Sequence, residues 1–188
     1  MKVRDSGMPK QDMWENFFNP DNVLAKLGLN NKINNVAEFG CGYGTFTIPA
    51  AKVIKGEIFA IDIEPEMIGI TQRRAKEQGL NNVKTILRDF VSSGSGLKDE
   101  SVDFVMLFNI LHFENPIAIL RQAYSILTPS GKVGAIHWNY DATTPRGPDL
   151  SIRPKPEQCQ DWIKKAGFDL LVPLVELPPY HYGVIGMK

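Results

Sequence analysis

The run Asn35-Val-Ala-Glu-Phe-Gly-Cys-Gly-Tyr-Gly44 sets glycines at alternate positions directly behind a short apolar stretch. Gly40, Gly42 and Gly44 let the backbone turn tightly and approach a ligand without Cβ obstruction. Val36 to Phe39 suits a buried strand, and Thr45 to Lys55, with Phe46, Ile48, Ala50, Ala51 and Ile54, suits the helix after it. Strand, glycine turn and helix form the first half of a βαβ unit. A second strand, Glu57 to Ile63, then delivers Asp62 at its carboxyl end, where a carboxylate can accept hydrogen bonds from both hydroxyls of a ribose. Glu38, just ahead of the turn, would repel a pyrophosphate and attract an ammonium group, directly or through water. The combination reads as a nucleoside-cofactor site.

The glycine spacing separates two cofactor classes. A dinucleotide fingerprint, GxGxxG, has a third glycine for helix–strand packing beneath a pyrophosphate, and Thr45 stands at that position here. The pattern Glu38-x-Gly-x-Gly-x-Gly, with Asp62 on the second strand, resembles motif I of the class I S-adenosylmethionine-dependent methyltransferases. The closest likeness is to the small-molecule type 11 and type 25 enzymes, whose core the quinone-biosynthesis C-methyltransferases share. The resemblance continues in order along the chain. Arg88-Asp-Phe90, after a third strand at Val83 to Leu87, is similar to the family's adenine-side acid and its neighbour. Ser101 to His112 is similar to motif IV, and Leu127-Thr-Pro-Ser-Gly-Lys132 to the family's Leu-Lys-Pro-Gly-Gly turn, with Thr128 and Ser130 as departures. The resemblance implies S-adenosylmethionine as cofactor, held by Glu38, Gly40, Cys41, Gly42, Gly44, Asp62, Ile63, Met67, Asp89, Phe90 and Asn109. It does not name the methyl acceptor.

In an open α/β sheet the ligand sits beyond the carboxyl ends of the strands. Acceptor residues are therefore sought at Asn109 to Phe113, at His137 to Tyr140 and in the long connection Asp141 to Pro154. His112 and His137 are the candidate general bases, useful where a phenol, alcohol or carbon acid must lose a proton; the alternative for each is a hydrogen-bonded structural histidine. Trp138 and Tyr140 are candidate substrate contacts. Arg146 and Arg153 suit bidentate capture of an anion, so an anionic small acceptor is one expectation and a solvated or Asp-paired arginine the other. Asn109-Ile-Leu-His112 is not the Asn-Pro-Pro-Tyr or Asp-Pro-Pro-Tyr of amino-methyltransferases. Cys41 and Cys159 are too few for an arsenite enzyme or a disulfide framework and are not at metal-ligand spacing, so no metal is expected. The distinctive later motif of the quinone-biosynthesis enzymes is not evident. A nucleotide-dependent oxidoreductase would explain Asp62, but the motif I spacing argues against it. A cofactor-binding or regulatory subunit without turnover stays as the alternative; erosion of Glu38, Asp62 or Asp89 would mark it, and all three acids are present.

The elements that must position these residues alternate regularly. Helices at Pro65 to Gln78 and Pro116 to Leu127, and a strand at Lys132 to Trp138, argue for a Rossmann-like, doubly wound α/β fold. After a helix at Pro156 to Ala166, strand-like runs at Phe168 to Leu177 and His181 to Met187 form a hairpin, which completes a mostly parallel seven-stranded sheet. Val91 to Asp99 reads as a loop with at most one helical turn. Trp14, Phe17, Phe18, Val23, Leu24 and Leu27 suggest one or two short helices, broken at Asn19-Pro20, that either cover the cofactor cleft or pad the core edge. With 188 residues, 43% hydrophobic and 22% charged, a single domain is expected over 1–188: a helical cap over 1–30, a cofactor-binding core over 35–139, and an acceptor-side loop, helix and hairpin over 140–188. Zero formal charge gives no footprint for nucleic acid or an anionic membrane. Met1 to Asp12 lacks an apolar signal core, so a cytoplasmic monomer or homodimer, without nucleic-acid or membrane partners, is the expectation.

Overall fold

The computed structural model of the protein describes residues 10–188. Its elements are α1 (Gln11–Glu15), α2 (Pro20–Lys26), β1 (Val36–Phe39), α3 (Thr47–Val53), β2 (Ile58–Asp62), α4 (Pro65–Glu77), β3 (Val83–Leu87), α5 (Phe90–Ser93), β4 (Val102–Phe108), α6 (Pro116–Ile126), β5 (Leu127–Trp138), α7 (Pro156–Lys165), β6 (Asp169–Leu177) and β7 (His181–Met187). The strands form one seven-stranded sheet in the order β3-β2-β1-β4-β5-β7-β6. β1 to β5 run parallel, and β7 enters antiparallel to β5 with β6 outside it. This is the doubly wound sheet with a reversed terminal hairpin that the sequence pattern predicts.

Two apolar layers sandwich the sheet, and strand alternation decides which residue joins which. On β4, Val105 and Leu107 pack with Ala37, Leu120, Ala123 and Ile163 of the α6–α7 side. Phe104, Met106 and Phe108 pack with Leu24, Leu27, Phe46 and Ala51 of the α2–α3 side. Because both faces are covered, a nearly continuous apolar run was required at β4, and the strand is buried apart from Asp103. That exception fastens the amino ends of the strands: Asp103 accepts from Asn34 N at 3.0 Å, Asn35 N at 2.9 Å and Thr128 Oγ1 at 3.2 Å. Thr128, a departure from the family turn, thus has a partner of its own. Under α7 the approach is so close that a Cβ on Gly186 would stand 2.8 Å from Ile163 Cγ2.

Three elements depart from the expected bounds by more than a single residue, each for a local reason. α3 begins at Thr47 and not Thr45 because Pro49, which has no N–H, is accommodated only within the first turn of a helix. β4 stops at Phe108 because Asn109 turns left-handed at φ +57°. β5 starts early, at Leu127, which pairs with Val102 before a register shift lets Lys132 meet Phe104. The expected N-terminal helices are present as α1 and α2, with Asn19 capping α2 through Asn22 N at 3.1 Å; the first part of the expected cap, residues 1–9, lies outside the described residues. Among the described residues no helix is long and apolar enough to cross a membrane.

Ser130, the other departure, occupies a left-handed position at φ +66°, and its side chain is exposed. A left-handed conformation costs an L-residue roughly 1–2 kcal/mol, against about 0.5–1 kcal/mol of extra chain entropy lost by glycine. Ser130→Gly is therefore expected to stabilise by about 0.5–1 kcal/mol. In a domain of this size that raises the thermal midpoint by roughly 1–4 °C, and a lower midpoint in a scanning melt would contradict the strain assigned to this turn.

Candidate active site

The glycine turn is built against β2. Gly40 N and Cys41 N both donate to Ile61 O, at 2.8 and 3.1 Å, and Gly42 N donates to Asp62 Oδ2 at 2.9 Å. Gly40, Gly42 and Gly44 all take positive φ, between +53° and +75°. From α4, Thr71 Oγ1 donates to Gly42 O at 3.0 Å, and a Cβ on Gly44 would lie 2.9 Å from that same oxygen. Arg74 Nη1 reaches Tyr43 O at 2.7 Å and pairs with Glu15 of α1 at 2.7 Å. The amino-terminal segment is thereby tethered to the turn. Its aromatics also pad the far strands: Phe17 packs edge-on against Trp138, and Phe18 lies between Phe46 and His181. Of the two roles considered for these aromatics, these contacts show the padding of the core edge. Cys41 does not reach outward as expected of a cofactor contact. It is buried, its N–H and C=O are spent on Ile61 and Gly44, and burial pushes its thiol far above the ordinary range.

Three acids stand at the carboxyl edge. Glu38 is 2% exposed and accepts from the Thr47 hydroxyl; burial, opposed in part by that bond, pushes its carboxyl up to about 8. Asp62 is also buried and raised by burial, while Glu64 N, at 2.9 Å from Oδ1, and Gly42 N favour its charged form. Each of its oxygens has acceptor capacity beyond one N–H. Asp89 caps α5 through Val91 N at 3.0 Å and Ser92 N at 3.1 Å, and the Ser92 hydroxyl and these amides hold it below the usual carboxylate range. Ile63 and Met67 are half-buried between these acids along the chain. Phe90 departs from its expected place beside a cofactor ring: its side chain is buried in the core against Phe39 at 5.1 Å.

The sheet order reverses between β1 and β4, whose following helices lie on opposite faces, and at such a switch point a doubly wound sheet places its ligand crevice beyond the carboxyl ends. Asn109 stands there. Its backbone N–H donates to Ile136 O at 2.8 Å, yet among the described residues both Oδ1 and Nδ2 are buried without a partner, as is Thr45 Oγ1 in the glycine turn. Leaving a polar group buried and unpaired costs about 1–3 kcal/mol. Such groups fit a ligand that brings donors and acceptors of its own, and the ammonium and carboxylate of S-adenosylmethionine are groups of that kind.

Next to this crevice a cleft of about 490 Å³ is lined by His112, Phe113, Tyr140, Ile152, Lys155 and Trp162, among others. Of the acceptor residues singled out in the sequence, His112, Tyr140 and Arg153 border it. His112 is half-buried, its ring is stacked on Phe113, its Nδ1 has no partner, and burial lowers its pKa. The general-base expectation does not extend to His137. That side chain is fully buried, burial holds it well below its ordinary pKa, and Nε2 accepts from Leu111 N at 3.1 Å. It anchors the turn that carries Asn109 and His112. Trp138 is likewise buried, against Phe17, Tyr180 and His181, and is no substrate contact.

The two arginines also have other tasks. Arg146 is exposed and does not border the cleft. Arg153 is 7% exposed, and its guanidinium donates to the carbonyls of Asn139 (2.9 Å), Asp141 (3.0 Å), Arg146 (3.4 Å) and Pro148 (2.8 Å) and to Thr144 Oγ1 (2.7 Å). Its hydrogen-bonding capacity is used up in folding the loop over 139–153. Tyr182 Oη fixes the end of that loop through Pro154 O at 2.8 Å. Sequence reasoning included Phe113 and Ile152 in its acceptor-side segments without singling them out, and missed Lys155 and Trp162 as cleft residues. Lys155 was accessible in principle, because it sits directly between a long loop and the proline that opens α7.

Comparison with known proteins agrees with this geometry. Residues 36–131, just over half of the chain, match the methyltransferase domain family. An uncharacterized methyltransferase-like protein of Schizosaccharomyces pombe is 30% identical over 110 residues, which cover 58% of this chain and 40% of that protein. The aklanonic acid methyltransferase of Streptomyces sp. strain C5 is 30% identical over 101 residues, 52% of this chain and 45% of that one. The aligned part thus spans less than half the length of either relative. A SAM-dependent methyltransferase from Aquifex aeolicus shares the fold at a TM-score of 0.82 with 24% identity, covering 94% of this chain and 93% of its own. Glycine turn, sheet order and sequence matches agree, and the chain belongs to the class I S-adenosylmethionine-dependent methyltransferase family.

Proposed function

We propose that this chain transfers a methyl group from S-adenosylmethionine to a small-molecule acceptor in the cleft beyond β4 and β5. One observation carries the reading: the unpartnered Asn109 carboxamide lies at the switch point, with the glycine turn on one side and His112 on the other. The similarity to an aklanonic acid methyltransferase supports a small-molecule acceptor. When bound, S-adenosylmethionine supplies an electrophilic methyl carbon, to which the acceptor atom bonds as the carbon–sulfur bond breaks. The chain's part is chiefly alignment. Asp62, preset by Gly42 N and Glu64 N, receives the ribose hydroxyls; Asp89 faces the adenine amine; Glu38 and Asn109 hold the amino-acid end. His112, neutral at pH 7 because burial lowers its pKa, takes the proton of a phenol or alcohol acceptor.

Three measurements test this. The thermal midpoint should rise with about 1 mM S-adenosylmethionine or its demethylated product and not with NAD, since ligand at 100 times Kd stabilises by about 2.7 kcal/mol; a rise with NAD alone would overturn the cofactor. Asp62→Ala should weaken cofactor binding by roughly 1.5–3 kcal/mol, the range for hydrogen bonds to charged groups, and unchanged affinity in a folded variant removes the ribose role.

Glu38→Gln gives a pH signature. Below the ordinary carboxyl value of 4.5, Glu38 is protonated whether the chain is folded or unfolded. Between 4.5 and about 8 the unfolded chain releases the proton while the folded chain keeps it, so stability falls as pH rises. Glutamine carries no such penalty and still accepts from Thr47. The variant's midpoint should therefore exceed that of the parent by an amount that grows from pH 5 to pH 8, while its shift on adding cofactor shrinks. A gain independent of pH would show that burial of Glu38 is not what raises its carboxyl.

A further inference from the structure

Resting on the cleft beyond β4 and β5 as the acceptor site, we propose that its occupant is a planar aromatic anion. The ring lies among Phe113, Tyr140 and Trp162, and the acidic group meets Lys155. The volume of about 490 Å³ suits a molecule of one or a few rings. Aromatic side chains form its walls: Phe113 is parallel to the His112 ring at 8° and 5.6 Å, and Tyr140, at the mouth, is 46% exposed, an uncovered apolar surface. Lys155 Nζ is held 4.7 Å from the centre of the Tyr140 ring and, among the described residues, pairs with no carboxylate. A cation–π contact fixes an ammonium in place without neutralising it.

Charge in the wall points the same way. Arg153 has its hydrogen bonds satisfied by loop oxygens, which leaves its net charge in place, although Asp141 and Asp149 lie near enough to act on it. Glu114 is the one acidic side chain in the lining, opposite two cations, Lys155 and Arg153. Lys155 also immediately precedes the ten-residue helix α7, whose amino end favours negative charge. A neutral phenol would leave Lys155 without a partner, and an aliphatic acid would leave the aromatic walls unmatched. The anion-binding role expected of Arg146 and Arg153 thus falls to a lysine.

Titration calorimetry on the full chain tests this, with S-adenosylhomocysteine present so that nothing turns over, and with 4-hydroxybenzoate, phenol and cyclohexanecarboxylate as probes. 4-Hydroxybenzoate should bind about tenfold more tightly than either of the others. Lys155→Gln, an exposed change, should reduce it to the level of phenol while leaving phenol and S-adenosylhomocysteine unaffected. Equal binding of 4-hydroxybenzoate and phenol, indifference to Lys155→Gln, or binding of S-adenosylhomocysteine with no probe would each overturn the proposal. Failure of S-adenosylhomocysteine itself to bind would instead bring down the cofactor reading, and this proposal with it.

Discussion

The neighbouring parallel strands β1 and β4 send their chains to opposite faces of the sheet. Between β1 and β4 the chain must leave abruptly on each side, and both exits are left-handed: Gly40 at φ +75° after β1 and Asn109 at φ +57° after β4. Everything functional depends on that divergence. It sets the glycine turn beside Asp62, and it leaves the Asn109 carboxamide buried without a partner among the described residues. Glycine takes such a conformation at little steric cost and asparagine is among the few other residues that visit it.

The crevice is maintained against local stability. Among the described residues, Glu38 is buried with the Thr47 hydroxyl for company and no cation, and Asn109 and Thr45 bury polar atoms without partners. A chain selected for stability alone would fill these positions with apolar or internally bonded side chains. The surrounding framework compensates, through two apolar layers over the sheet and through the Asp103 and Asn35 bonds that tie the opposite ends of the strands.

How much of this was legible in the sequence follows from the range of each interaction. β1 and β3 could be bounded to the residue because apolar runs and glycine or polar punctuation are local signals. The glycine turn with Asp62 was legible because tight backbone approach needs a particular residue type at a particular spacing. The acceptor side was legible as chain segments but not as individual contacts. Whether an arginine meets a ligand or a carbonyl depends on where a loop folds, and Arg153 is surrounded by oxygens from its own loop that no spacing rule connects to it. His137 and Trp138 ended inside the protein for a similar reason: β7 and the aromatic N-terminal segment cover the end of β5, and both come from distant parts of the chain. Phe90 was placed one step wrongly, since the acid before it caps a helix and that cap turns the next side chain inward.

The Arg153 clamp reads backbone oxygens almost exclusively, with Thr144 as its one side-chain partner. A loop whose shape is dictated in that way is insensitive to most of its own side chains. Leu150, Ser151 and Ile152, which face the cleft, are therefore free to change without unfolding the segment that carries them. Residues 139–153 amount to an interchangeable cassette on a fixed chassis, and the walls of the cleft can be altered by a few substitutions that leave the glycine turn and Asp62 untouched.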